Sequence, residues 1–317
     1  MHPSSQNAST APPPEQGPRP KAGGFLKIRS YSKLNLFLDV VARREDGYHD
    51  IESVMQLISL ADEMQISVRQ GGGVSFSASG GACPRGHENI ICRAAAAMIK
   101  RFGIQEAIDI NLYKRIPMGA GLGGGSGNCA ATIRGINDIL GLSASHEDLH
   151  LIAKSLGADV PFFLTGGTCL ANGIGEKLTQ LQPLPICSIV LVYPEVMMPT
   201  NLVYNKLMKS DMQKGNIKDI LHGLALGDLT LVARYLYNTF QDIVCEVHPV
   251  VGEIVRKLTD CGALGASMTG TGSAVFGIFA SEKVAKDAQI QFVDYGRAFL
   301  VRPILGLGKV NSRILTT

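Results

Sequence analysis

Tryptophan is absent from the 317 residues, and Phe and Tyr bring the aromatic share only to 6%. Burial must therefore rest on Leu, Ile, Val and Ala, and with 45% hydrophobic and 18% charged residues the composition is that of an ordinary soluble protein. No apolar run approaches the ~20 residues of a membrane-spanning helix. Neither sign of charge dominates: 30 basic and 27 acidic residues leave +3, too balanced for a nucleic-acid or membrane partner, and no polybasic run interrupts that balance. The seven cysteines form no C-x-x-C and none lies near a spaced His pair, which argues against a zinc site or any other metal centre built from side chains. Their odd number reads as reduced thiols in a cytoplasmic protein. Residues 1–24 lack the apolar core of a secretory signal and the Arg-rich pattern of a mitochondrial leader. Rich in Pro, Ser, Ala and Gly, they read as a disordered tail, with which a plastid leader is also compatible.

The length fits one large domain or two packed ones. Leu34, Leu36, Leu38 and Val40 alternate with other residues and predict a strand over Phe25–Val41. Asp46–Gly47 marks a turn, 51–68 continues in extended form, and the Gly- and Ser-rich stretch 71–81 reads as a hairpin tip. Asn89–Phe102 is an Ala-rich helix ending at Gly103. A strand through Ile108, Ile110 and Leu112 leads into a glycine cluster, then helices over about 128–140 and 147–156. An apolar strand at 186–192 follows a Pro-flanked boundary near residue 183, so the expected division is 25–183 and 184–317. Beyond 200, amphipathic helices run to about Leu258, and Gly262–Phe279 reads as a glycine loop with a flanking strand.

The densest signal is Pro117, Met118, Gly119, Ala120, Gly121, Leu122, Gly123, Gly124, Gly125, Ser126, Gly127: six glycines in eleven residues, directly before a helix. Exposed N–H groups at a helix N-terminus attract anions, and glycine lets the backbone approach phosphate oxygens without Cβ clashes. Ser126 adds a hydroxyl for capping, phosphate or metal-ion contact. No G-K-[ST] follows, so this is not a Walker A loop, and no V-A-I-K, H-R-D or D-F-G marks a protein kinase. Gly119, Gly121 and Gly124 satisfy G-x-G-x-x-G, but helix, loop and helix follow where a dinucleotide fold needs a second strand ending in an acid. A dinucleotide oxidoreductase is therefore the second-ranked reading.

PMGAGLGGGSG resembles the phosphate motif of the GHMP kinases. Met268–Phe276 (MTGTGSAVF) is similar to that superfamily's C-terminal glycine motif. Lys33–Phe37 (KLNLF), Asp46–His49 (DGYH), Leu156–Phe163 (LGADVPFF) and Gly173–Leu178 (GIGEKL) resemble the diphosphocytidyl-methylerythritol kinase branch of the superfamily. The matches run in family order and cover nearly everything after the tail. Gly127 departs from the family's usual second serine, and Cys129 stands where Ala is common.

The resemblance implies an α+β, two-domain fold with the active site in the interdomain cleft and a ferredoxin-like second domain. It implies ATP with Mg²⁺, a small-molecule alcohol substrate, and no nucleic-acid or membrane partner, in a monomer or homodimer. Asp159 is the implied base for the substrate hydroxyl; read locally, Asp before Val160–Pro161 is also a helix N-cap. Lys33 interrupts an apolar strand and needs a counter-charge, for which Asp159 is the candidate. Asn35 shares its strand face with Lys33 and is expected to orient the substrate. Tyr48 and His49 are implied to stack on and hydrogen-bond a cytosine, with Tyr204 completing the sandwich. Asn89 is either an N-cap alone or near adenine, and Gly173–Glu176 and Thr269–Ser273 are expected to border the substrate and the phosphates. Another alcohol substrate, or a nucleotide-binding protein without turnover, are the remaining alternatives.

Overall fold

The computed structural model describes residues 24–84, 86, 88–207, 215–307 and 315–316. The expected tail lies outside them except for Gly24, which opens the first strand. Strands β1 (Gly24–Arg43) and β2 (His49–Arg69) pair as a long antiparallel hairpin across the Asp46–Gly47 turn. Then follow β3 (Val74–Gly80), α1 (Ile90–Phe102) and β4 (Ala107–Lys114). Stretch 71–81 is thus no hairpin tip. β3 runs parallel to β4, and α1 supplies the crossover that parallel neighbours require. The alternation Val74, Phe76, Ala78 carried that signal, masked by Gly and by the serines of a solvent-facing edge.

α1 starts where the Asn89 side chain accepts from Ile91 N and stops at left-handed Gly103. α2 (Gly124–Leu140), α3 (His146–Leu156), α4 (Val160–Thr165), β5 (Thr168–Asn172) and β6 (Lys177–Gln180) complete the first half. α2 begins four residues earlier than the sequence suggests: Gly123, in the left-handed region at φ 66°, is its cap, so Gly124–Gly127 form its first turn. The helices pack on one face of the sheet through residues such as Leu26, Ile66, Ile110, Ile133 and Ile136.

The second half contributes β7 (Ser188–Tyr193), α5 (Thr200–Leu207), α6 (Ile217–Leu226), α7 (Leu229–Arg234), β8 (Tyr237–Asn238), α8 (Gln241–Val247) and α9 (Pro249–Asp260). It ends with β9 (Gly265–Met268), β10 (Val275–Phe279), α10 (Glu282–Ile290), β11 (Arg297–Val301) and β12 (Leu315–Thr316). A four-stranded antiparallel sheet has the order β11-β7-β10-β9. Two strands of this half cross over: β8 lies parallel to β1 at Phe37–Leu38, and β12 pairs with β1 at Gly24–Phe25. Val190 and Val192 face helices α8–α10, whereas Ile189 and Leu191 meet Leu34, Leu36 and Phe37 of β1 in a core shared by both sheets. Burying these leucines turns Lys33 and Asn35, on the opposite face of β1, toward the glycine cluster.

Candidate active site

A cleft of about 480 Å³ opens between the halves. Ten consecutive residues from Pro117 to Ser126 line it, with Asn89 and Cys83 from the first half and Met198, Thr200, Thr271 and Gly272 from the second. Gly127 is not among them. A Cβ there would stand 2.6 Å from Tyr31 O, so the position of the family's second serine is pressed against β1. A larger cavity of about 690 Å³ lies over the opposite face of the first sheet and contains none of the expected site residues.

The loop's shape depends on its glycines. Gly119, Gly121 and Gly123 all have positive φ, at 70°, 78° and 66°. A Cβ on Gly121 would lie 2.2 Å from Thr269 O, and one on Gly270 2.8 Å from Gly121 O, so the two glycine turns touch backbone to backbone. Gly123 lies flat on Phe163 and the stem of Lys33. Lys33 N donates to Leu122 O at 3.0 Å, which fixes β1 to the loop.

Lys33 is only 4% exposed. Burial lowers its pKa from the usual 10.5, and the charge of Asp159 opposes that shift. Its Nζ donates to Asn35 Oδ1. The expected counter-charge thus acts through space, while Asn35 provides the direct contact. Asn35 is itself held by Ser53 Oγ at 2.8 Å, and its N–H donates to Thr269 Oγ1 at 2.9 Å. Asp159 occupies the N-cap position of α4 but makes no side-chain capping bond. The carboxylate instead lies beside the 173–176 turn, outside the lining of the cleft: Oδ1 is 3.7 Å from where a Cβ on Gly175 would stand, and its charge also reaches Tyr204. Glu176 shapes the intervening turn by accepting from Ile174 N at 2.8 Å.

His49 and Tyr204 come together, ring centroids 4.8 Å apart, and Tyr204 packs edge-on against Phe240 at 4.8 Å. Burial, and secondarily Asp159, pushes the Tyr204 phenol up to about 12. Burial and then Arg43 lower the His49 pKa, and its Nε2 is buried without a hydrogen-bond partner. Tyr48 stands apart, 59% exposed, with its N–H on Asp46 Oδ1 at 3.1 Å. The structure therefore brings His49 and Tyr204 together and leaves Tyr48 exposed.

Two groups escaped the sequence reading. Lys114 Nζ forms a 2.6 Å ion pair with the fully buried Asp62 beneath the start of α2, and a Cβ on Gly124 would be 3.0 Å from that nitrogen. Asp62 also accepts from Arg115 N and Ile116 N at 2.7 and 2.8 Å. Asn128, 1% exposed and lining the cleft, has a buried Oδ1 with no partner. Its one sequence signal is a polar residue on the buried face of α2.

A glycine-rich turn at a helix N-terminus, with a buried lysine packed on it and a carboxylate whose charge that lysine feels, has the chemistry that phosphoryl transfer requires. The family models that match are the GHMP kinases N terminal domain over residues 89–167 and GHMP kinases C terminal over 220–297. Fold and cleft are thus those of a GHMP kinase. Homoserine kinase from Cytophaga hutchinsonii shares this fold, with TM-score 0.72 at 21% identity over 89% of this chain and 95% of that one. A 4-diphosphocytidyl-2-C-methyl-D-erythritol kinase of Geobacter metallireducens is 40% identical over 276 residues, 87% of this chain and 97% of the relative. One from Caldanaerobacter subterraneus is also 40% identical, over 80% of this chain and 88% of its own length. The crystal structure of a 4-(cytidine 5'-diphospho)-2C-methyl-D-erythritol kinase superimposes with TM-score 0.77 at 32% identity, covering 89% of this chain and all of that one. The chain belongs to the 4-diphosphocytidyl-2-C-methyl-D-erythritol kinase family. Among the described residues no helix is long and apolar enough to cross a membrane.

Proposed function

We propose that the protein transfers the γ-phosphoryl group of ATP to the 2-hydroxyl of 4-diphosphocytidyl-2-C-methyl-D-erythritol, yielding ADP and the 2-phosphate, a step of non-mevalonate isoprenoid synthesis. The observation that carries this reading is the glycine-rich start of α2 lining the cleft, with the stem of Lys33 packed on Gly123 and the charge of Asp159 reaching both Lys33 and Tyr204. The N–H groups of Gly123–Ser126 cradle the phosphates. Asp159 accepts the proton of the 2-hydroxyl as its oxygen attacks the γ-phosphorus and the bond to the β–γ bridging oxygen breaks. Lys33, whose cationic form burial disfavours and the charge of Asp159 favours, neutralises the phosphoryl group in transit, and Asn35 holds its amine in place. The unpartnered His49 Nε2 hydrogen-bonds the cytosine edge while Tyr204 supplies the stacking face. Tyr48 closes from the rim.

Among the described residues no three His, Cys, Asp or Glu side chains come together as a metal cluster. The oxygen donors that are present, Ser126 Oγ and the unpartnered Asn128 Oδ1, suit a hard Mg²⁺ that keeps most of its shell in phosphate oxygens and water. Bound with ATP, the ion supplies charge neutralisation at the phosphates.

The test is ADP release by the purified protein with Mg·ATP, with and without the cytidyl substrate, and with homoserine, mevalonate and galactose as comparison alcohols. Release dependent on the cytidyl substrate alone is expected. Release with another alcohol would discard the substrate, and none with any alcohol would discard the reaction.

A further inference from the structure

The second glycine turn, Thr269–Ser273, is closed by Thr269 N donating to Ala274 O at 2.9 Å and Gly272 N to Thr269 O at 3.1 Å, with Gly270 and Gly272 at positive φ of 59° and 86°. It also bears on the phosphate loop and on the strand that carries Lys33. It touches Gly121 of the phosphate loop backbone to backbone, it meets that loop again where Ala274 N donates to Ala120 O at 3.3 Å, and Thr269 Oγ1 accepts from Asn35 N. Whatever fixes this turn fixes the distance between the nucleotide loop and the strand bearing Lys33.

A side-chain amide from a remote part of the chain helps to fix it, beside Ser273 Oγ, which donates to Val196 O. Asn238, 6% exposed, donates through Nδ2 to Met268 O at 2.8 Å and to Gly270 O at 2.9 Å, gripping the two carbonyls that flank Thr269. Its Oδ1 accepts from Phe240 N at 2.9 Å. The neighbours dictate the orientation, because two carbonyls need the NH₂ and one N–H needs the oxygen. Asn238 is itself anchored on β1, since β8 pairs with Phe37–Leu38 and Thr239 N donates to Leu38 O at 2.9 Å. Gln241 adds a second hold, its Oε1 accepting from Met268 N at 2.9 Å. One amide thus triangulates β1, the second glycine turn and the phosphate loop.

We propose that Asn238 is a positioning residue for phosphoryl transfer: through the second glycine turn it sets the nucleotide loop against Lys33. The role rests on the kinase reading above. Asn238→Asp isolates it. The isosteric carboxylate keeps an oxygen for Phe240 N, and hence the Phe240–Tyr204 contact, but turns an acceptor toward two carbonyls. A shift of about 1 Å in reacting groups costs on the order of 100-fold in rate. The expected result for N238D is therefore a fall in kcat of roughly 10- to 100-fold and a raised KM for ATP, with KM for the cytidyl substrate within about twofold of wild type. Val232→Ala, a truncation on α7 within the core, serves as the destabilised control and is expected to keep kcat. Where the aspartate impairs folding, N238A is assayed instead, with the same expected fall in kcat. A folded variant with wild-type kcat, or a V232A control that loses kcat to the same degree at equal Tm, overturns the proposal. Should the wild-type enzyme itself release no ADP, the kinase reading fails separately. The positioning role is then judged by titration with a fluorescent ATP analogue, where N238D is expected to bind about 10-fold more weakly and unchanged affinity refutes it.

Discussion

A single methyl group at position 121 tests whether the contact between the two glycine turns sets the geometry of the phosphate loop. In Gly121→Ala the new Cβ would stand 2.2 Å from Thr269 O, 3.1 Å from Thr269 C and 3.3 Å from Gly272 N. All three are backbone atoms, so no side chain can swing aside. An L-residue at φ 78° adds a left-handed backbone cost of about 1–2 kcal/mol. Relieving the clash parts the turns by about 1 Å, and a displacement of that size near the reacting atoms lowers rate on the order of 100-fold. ADP release measured at saturating substrates, beside a urea midpoint, separates the two consequences: kcat falls by about two orders while stability drops by the modest strain. Gly125→Ala is the companion. It meets nothing within 4 Å and lies within α2, so its stability should rise by about 0.5–1 kcal/mol. A G121A enzyme with kcat within threefold of wild type would refute the idea that the two turns are rigidly coupled.

Asp159→Asn is expected to lower turnover by about two orders of magnitude or more with ATP binding unchanged by calorimetry, and retention of turnover would exclude the base role. Lys33→Met should abolish turnover yet raise Tm. A lysine whose folded pKa lies below the free 10.5 favours the unfolded chain while protonated. That penalty is fully felt below the folded pKa and fades as pH rises toward 10.5, so the Tm advantage of the variant should shrink in alkaline buffer; in the wild-type enzyme kcat/KM should decline at a pH below 10.5. Tyr204→Ala removes a stacking face worth about 1–3 kcal/mol and should raise KM for the cytidyl substrate roughly 10-fold, whereas Tyr204→Phe should leave the pH profile unchanged because the phenol titrates only at about 12. Asp62→Ala strands the buried Lys114 charge and two N–H donors, and denaturant unfolding should show a loss of about 3–5 kcal/mol.

What the sequence made legible was local. The Leu34, Leu36, Leu38 alternation placed Lys33 and Asn35 on one strand face, and the glycine run marked the turn that opens α2 and lines the cleft. Asn89 and Gly103 delimited α1 through cap chemistry alone. Strand β3 was missed because a one-sided edge strand of serines carries little apolar signal. The entry of β8 and β12 into the first sheet was not legible either, since two-residue strands have no periodicity and their partners lie some two hundred or more residues away. The Asp62–Lys114 pair was hidden in the same way: each residue alone reads as a charge at a strand end, and only the β2–β4 pairing brings them to 2.6 Å.

Asp159 shows why local reading must stop where it does. Its sequence context, an acid ahead of Val160–Pro161, is that of a helix cap, and the backbone does place it at the N-cap of α4. A capping aspartate, however, has an extended backbone and accepts from an N–H two or three residues on, as Asp228 does for Leu231. Asp159 has φ −79°, ψ −16° and accepts no such bond. An acid that forgoes the stabilisation of its own cap, about 1 kcal/mol, must be held by something else. The groups that sense its charge are Lys33 and Tyr204, on elements far apart in the chain. The missing cap bond leaves the carboxylate able to act on Lys33 and Tyr204, which is the premise of the proposed base role, and that arrangement depends on tertiary geometry that no window of sequence around residue 159 contains.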